Sequence, residues 1–493
     1  MARYSDEGIA EVLGDAALRA RFAAIRGQFG VPETFPPDVL AEAEAVAGAP
    51  LEWPDRDETD LPFFTIDPPG SLDLDQAMHL AREGEGYRVR YAIVCLPAFV
   101  APGGAIDTEA RRRGQTIYCP DTRVPLHPPI LSEGAASLLP GAVRAAYVWD
   151  LRLGSDGEVT SADVHRALVR SVERLDYAHV QGQIEAGTDD ERFLLLREIG
   201  EARIACERRR GGASLPMPEQ VVTENPDGSY ALSFRPPLAA EEWNAQISLM
   251  TGMAAAGLML GAGIGILRTL PAPDPQAVER FRRQATALGV PWLAGEAYGD
   301  FLRRLDRTEP KHLALIYEAT SLFRGSAYAA FDGAPPAHPE HGALAADYAH
   351  VTAPLRRLVD RFGLAVCEAI SGGGPVPAWA REALPALPEL MATSGRTASG
   401  VERTSTDTVE AAVLATHLGE EFRAVIVDHG TRGSWVVQLL DPAVVTQAGT
   451  QVRVDLGDVV TARLVEADID TGVVRLQVAE VVGAAPAPTA VDR

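Results

Sequence analysis

Thr65 to Ala77 reads TIDPPGSLDLDQA, and the residues just before it begin the run FFTID. The apolar and β-branched character of FFTID predicts a strand ending on Asp67. Pro68, Pro69 and Gly70 turn the chain, and Asp73 and Asp75 follow two residues apart, a spacing that puts both on one side of an extended segment. The turn then brings Asp67 beside them. Three crowded carboxylates repel one another unless a cation neutralises them, and oxygen donors without His or Cys favour Mg²⁺ or Mn²⁺. A solvated acidic loop is the alternative reading of the same residues.

Outward from this segment the pattern is mixed. FFTID and YRVRYAIVCL have strand character, whereas ERFLLLREIGEARIACERRR and DPQAVERFRRQATALG have helical periodicity. The expected fold class is therefore α+β and multidomain, with a mixed α/β catalytic domain over residues 57–416. Residues 1–56 read as a small helical domain of the helix-turn-helix kind, with a nucleic-acid role or a packing role. From 417 to 482 the segments EFRAVIVDH, SWVVQLL, QVRVDL, DVVTARLVEADID and GVVRLQVAEV alternate between turn signals, which predicts a five-stranded OB-type barrel. Residues 483–493 read as a disordered tail.

Composition narrows the classes. Of 493 residues, 46% are hydrophobic and 23% charged, which excludes collagen-like, coiled-coil and wholly disordered chains. The four cysteines lie far apart, so neither a disulfide framework nor a thiolate zinc site is expected. Charges occupy the N-terminus where a signal peptide needs an apolar run, and a cytoplasmic protein is expected. The uncharged stretch Ile247 to Leu267 is rich in small residues and reads as a buried core helix, with no membrane as partner. The net charge of −23 argues against nucleic acid globally, but not for a local groove. Lys311 is the sole lysine, so the cations are arginines, bunched at 111–113, 208–210, 303–304 and 356–357. Such bunches either line a channel or form solvated helix faces.

Two further segments carry chemistry. YAHVTAPLRR, from Tyr348 to Arg357, joins hydrogen-bonding groups, a proline and paired guanidinium groups; Arg356 suits a bidentate phosphate contact, and Arg357 suits the same role or the surface. RRRGQTIYCPDTRVPLHPPILSEGAASLLPG, from Arg111, sets Tyr118 among loop-forming residues, where an aromatic stacks on a base or packs in a core.

TIDPPGSLDLDQA, the segment from Arg111, LDYAHV, AAEEWNAQISL, LRTLPAPDPQAVERFRRQATALG and YAHVTAPLRRLVDRF together resemble the catalytic domain of the ribonuclease II/R exoribonucleases, in order and spacing. The resemblance covers roughly residues 50–415, and the barrel after it is similar to that family's S1-type RNA-binding domain. It implies processive 3′-to-5′ hydrolysis of single-stranded RNA to 5′-nucleoside monophosphates with Mg²⁺ (Mn²⁺ as a substitute), by a monomer. By motif position it implies that Asp67, Asp73 and Asp75 hold the metal, that Asp75 is the most essential of them, and that Arg356 stabilises charge at the scissile phosphate. It further implies that Tyr118 clamps the terminal nucleotides, that Tyr177 and one of Glu241 or Glu242 recognise ribose, and that Glu402 stands near the channel end. Arg357 joins the RNA-binding set, as does Trp435 in the first hairpin of the barrel. Three departures stand out: Gln76 replaces a fourth aspartate, Cys95 replaces an acidic residue at a strand end, and Thr352-Ala-Pro-Leu-Arg356 replaces Thr-Ser-Pro-Ile-Arg. The lost carboxylate leaves an alternative, a non-catalytic RNA-binding protein that keeps the fold.

Overall fold

In the computed structural model, residues 16–49 and 54–484 are described, apart from 214, 216, 218, 225–229 and 236. Five strands, Phe63–Asp67, Gln76–Glu83, Gly86–Val94, Val143–Leu153 and Val159–Asp176, run in antiparallel succession and close into a barrel through a parallel pairing of the first with the last. Alternate residues of the wall enter two separate apolar clusters. Ala77, Ala92, Ala146, Val148 and Ala167 fall in one, and Met78, Tyr91, Ile93, Tyr147 and Trp149 in the other. Both faces are buried, so runs such as YAIV are apolar without alternation.

Helices Glu191–Arg210, Ala239–Ala262 and Leu358–Ser371 pack in the cluster that holds the large side chains. The uncharged stretch from Ile247 is not one helix. It ends at Gly263, where φ is +72°, and continues as the strand Ile264–Thr269. Ala239–Ala262 is long and apolar enough to cross a membrane by length and composition, yet Trp243, Ile247, Met250, Ala255, Ala256 and Met259 are buried within the protein.

The C-terminal strands Glu421–His429, Trp435–Leu439, Val445–Thr450, Asp458–Asp468 and Val473–Ala484 close a second barrel in the order first, second, third, fifth, fourth. The expected five strands are present, but the third is VTQAGT at 445–450 and not QVRVDL. Local alternation at Val452, Val454 and Leu456 suggested a strand there. Closure instead takes the segment that lies across a short hairpin from Trp435–Gln438 and runs parallel to Arg475–Val478. The last strand reaches Ala484, so 483 and 484 extend it; the rest of the expected tail lies outside the described residues.

The N-terminal helices Ala16–Gln28 and Pro37–Gly48 join different cores, the first with the second barrel and the helix Leu387–Leu414, the second with the first barrel. Leu387–Leu414 is the strut between the barrels. On it Glu410 is 6% exposed, and its Oε1 accepts from Gln220 Nε2 at 2.9 Å and from Val445 N at 3.4 Å. Burial holds its carboxyl up at about 8. A carboxyl whose pKa is raised by folding favours the folded state while protonated, and that contribution is lost progressively as pH rises from the unfolded value of 4.5 to about 8. Glu410→Gln keeps the accepting oxygen and removes the titration. Its melting temperature should match wild type below about pH 4.5, exceed it by a growing margin as pH rises toward about 8, and keep a constant margin above that, as read by thermal unfolding across pH.

Candidate active site

Asp67 is the last residue of the first barrel strand. That strand pairs in parallel with the end of Val159–Asp176, Asp67 opposite Asp176, so Tyr177 emerges beside it. The chain turns at Pro68 to Ser71, with Ser71 N donating to Pro68 O at 3.2 Å and Gly70 at φ +81°. Leu74, fully buried, pins the return: its N–H donates to Ser137 Oγ at 3.0 Å, and its carbonyl accepts from Leu138 N at 3.1 Å. Asp73 and Asp75 therefore sit in a loop that precedes the strand from Gln76, and extended-strand alternation does not place them.

The three acids have different surroundings. Asp67 Oδ2 is buried without a hydrogen-bond partner, and burial, opposed by Arg356 and reinforced by Asp73, raises its carboxyl to about 7. Asp75 is 3% exposed; Leu355 N donates to its Oδ1 at 2.7 Å, and Arg356 Nε stands 3.5 Å from its Oδ2. Burial holds the Asp75 carboxyl well above the usual range despite Arg356. Asp73 Oδ1 instead accepts from Arg123 Nη1 at 2.7 Å. Among the described residues no three carboxylate, imidazole or thiolate side chains are drawn close enough to hold an ion between them. The donor chemistry nonetheless fits a hard divalent cation: Asp67 presents an unpaired buried oxygen and Asp75 an oxygen without a close donor, and both acids are disfavoured as free anions.

Arg356 comes from a loop some 280 residues later in the chain. Its carbonyl accepts from Thr116 N at 3.0 Å, and Leu358 N donates to Gly114 O at 2.9 Å, which zips the loop to the segment leading into Tyr118. Asp360, fully buried, holds the loop from within: its Oδ1 accepts from Ala353 N at 2.7 Å and from Arg357 Nη2 at 2.8 Å, and its Oδ2 from Arg357 Nε at 2.9 Å. Both prongs of Arg357 are thus committed to Asp360. Arg357 is a brace beneath Arg356, whose own side chain is 44% exposed. Gln76 Nε2 donates to the Thr352 carbonyl, so the amide that replaces a fourth carboxylate ties the barrel strand to this loop.

Tyr118 lies on a small hairpin, Ile117–Tyr118 against Arg123–Val124, and the residue is 41% exposed, so it is not a core residue. Its hydroxyl lies in the field of Arg356, Asp73 and Asp75. Tyr177 OH accepts from Asn244 Nδ2 at 3.1 Å. Glu241 caps its own helix, Oε2 accepting from Leu238 N at 3.2 Å, and pairs with Arg235 at 3.0 Å; Glu242 is exposed. A partner of Tyr177 on this helix is thus Asn244. Glu402 is half-buried on Leu387–Leu414, and Trp435 stands on the second barrel with its ring 4.4 Å from that of His429, centroid to centroid. Cys95, buried at a strand end, has its thiol pushed up to about 11 by burial.

Two arginine bunches are paired with nearby acids. Arg111 pairs with Asp107 at 3.2 Å, Arg112 and Arg113 pair with Glu109 at 2.6 and 2.7 Å, and Arg303 and Arg304 pair with Asp300 and Glu296 at 2.7 Å each. Acids three or four residues away were the signal for most of these. Sequence reasoning also missed Arg123, although Pro-Asp-Thr between IYC and RV is a turn signature that puts it opposite Tyr118.

The profile of the RNB domain matches residues 55–363, and that of the RNase II-type exonuclease C-terminal S1 domain matches residues 420–479. The chain belongs to the RNB family. Ribonuclease R of Escherichia coli (strain K12) is 27% identical over 381 residues, covering 71% of this chain and 45% of the relative. Exosome complex exonuclease RRP44 homolog A of Arabidopsis thaliana is 28% identical over 327 residues, covering 62% of this chain and 34% of the relative. The chain spans less than half the length of these two relatives. Mycoplasma genitalium RNase R in complex with ribose methylated single-stranded RNA has a TM-score of 0.82 at 17% identity, covering 94% of this chain and 78% of that one. Yeast Ssd1, described as a pseudonuclease, has a TM-score of 0.63 at 17% identity, covering 80% and 49%. At these identities the likeness is one of fold.

Proposed function

We infer that the protein is a processive 3′-to-5′ exoribonuclease that hydrolyses single-stranded RNA to 5′-nucleoside monophosphates, acting as a cytoplasmic monomer without a membrane partner. The observation that carries the reading is the meeting of Asp75 with Arg356, 3.5 Å apart, from segments at opposite ends of the RNB domain, in a protein of that family. Asp67 and Asp75 would hold Mg²⁺ or Mn²⁺, and the chemistry such an ion supplies is activation of the attacking water and neutralisation of phosphate charge. Arg356, partly exposed and backed by the Arg357–Asp360 brace, offsets charge on the phosphoryl oxygens. Tyr118 offers a face for a base next to the reacting phosphate, and Trp435 one on the second barrel.

A second reading, an RNA-binding protein without catalysis, is favoured by Gln76, whose neutral amide stands where the resemblance calls for a carboxylate and is engaged with Thr352. Incubating 3′- and 5′-labelled single-stranded RNA with Mg²⁺ and with EDTA separates the two. The expected result is release of labelled mononucleotide from the 3′ end and stepwise shortening of the 5′-labelled strand, both abolished by EDTA. Binding without shortening establishes the second reading.

A further inference from the structure

The helix Ala16–Gln28 contributes nothing to the site itself, yet one face of it is packed on the Tyr118 hairpin. Leu18, Phe22 and Ile25 are buried in the same cluster as Ile117, Cys119 and Val124. Arg26, on that helix, is 5% exposed; its Nη1 donates to Asp121 Oδ1 at 2.7 Å and its Nε to Glu33 Oε1 at 2.9 Å. Asp121 belongs to the turn of the hairpin, which Cys119 N closes onto Thr122 O at 2.8 Å. Across the same hairpin, Arg123 joins Asp73 and Glu133 at 2.7 Å each. The helix is itself wedged in place, since a Cβ on Gly400 would stand 2.4 Å from the ring of Phe29, just beyond the helix end.

Two strands of two residues each do not hold a position by themselves. The Tyr118 ring is therefore located by the anchors of its hairpin, and among the described residues Arg26 grips the turn with a buried guanidinium. A buried charge pair fixes geometry tightly because burial strips both partners of water and only their close approach compensates for it. We propose that Arg26 is a positioning residue for RNA: through Asp121 it sets the Tyr118 ring against the terminal bases and so decides how short an oligonucleotide the protein retains. The proposal rests on RNA being the substrate, as argued under Proposed function.

The test measures affinity of the full chain in EDTA for single-stranded RNAs of about five and about twenty nucleotides, so that binding is read without cleavage. Arg26→Met and Asp121→Asn should each weaken the short RNA about five- to 150-fold, as Tyr118→Ala should, and affect the long RNA far less. Combining Arg26→Met with Tyr118→Ala should add no further loss. Asp121→Asn preserves shape, so it carries the comparison if Arg26→Met does not fold. Wild-type affinity for the short RNA in Asp121→Asn, alongside a loss in Tyr118→Ala, overturns the proposal. So does additivity in the double variant. With Mg²⁺ present, the same variants should leave longer end products. A wild-type protein that binds but does not shorten RNA overturns the exonuclease reading while the affinity comparison still decides the role of Arg26, and one that binds no RNA overturns both.

Discussion

Asp75→Asn should lower RNA cleavage by orders of magnitude while RNA binding persists and the fold holds or strengthens. The substitution keeps an oxygen to accept from Leu355 N, which lies 2.7 Å from Asp75 Oδ1 in the parent, and it changes no volume. What it removes is a negative charge that burial already disfavours, as the raised carboxyl pKa reports. Without divalent cation the variant should therefore melt at or above the wild-type temperature. With Mg²⁺, the wild type should gain stability that the variant gains less of, because ligand binding to the folded state alone stabilises it. Parallel measurement of turnover, affinity and melting temperature separates this outcome from general damage. Near-normal turnover would exclude Asp75 from the reaction centre.

The largest stability effect is expected at Arg361. Its guanidinium is 1% exposed, donates to Asp107 Oδ1 at 2.6 Å and Val100 O at 3.0 Å, and lies 4.9 Å from the centre of the Trp379 ring. Asp107 is 2% exposed and lies on the helix Ala105–Arg113 that leads to the Tyr118 hairpin, whereas Arg361 follows the Arg356 loop by one helical turn. The pair thus clamps together the two segments that carry the site. Arg361→Met takes the nearer of two arginines from the buried Asp107, leaving it Arg111 at 3.2 Å and Gly103 N at 2.9 Å, and should cost about 3 kcal/mol, a large part of the roughly 5–15 kcal/mol that stabilises a folded domain. Adding Asp107→Asn removes the under-compensated charge, so the double variant should recover part of the loss in denaturant unfolding. A double variant as unstable as the sum of the two singles would show that the two groups do not act as a pair.

Local chemistry made much of this site legible. Asp67, Asp75 and Arg356 could be named because each sits at a break in regular structure, a strand end or a proline loop, and such breaks are visible as residue types. Roles that depend on the partner of a side chain were not. Arg356 and Arg357 are neighbours with the same group, and only the buried Asp360 makes one a brace and leaves the other exposed. Asp73 looked equivalent to Asp75, but Arg123, fifty residues on, takes up its Oδ1. The bunched arginines left a channel and a solvated face both open, because their acidic partners, three to eight residues off, were not weighed with them.

The sequence by itself determined the elements with strong internal period, among them the helix Glu191–Arg210 and four of the five strands of the second barrel, together with the acidic turn that marks the site. It did so because burial of one face repeats along the chain at the period of the element. Only the tertiary structure decided the rest. The third strand of that barrel is chosen by ring closure, the uncharged stretch from Ile247 is cut at Gly263, and the N-terminal helix is turned onto the Tyr118 hairpin by a buried ion pair spanning 95 residues. These are contacts between segments whose local patterns carry no information about each other, so the free energy that selects them exists only once the chain has brought them together.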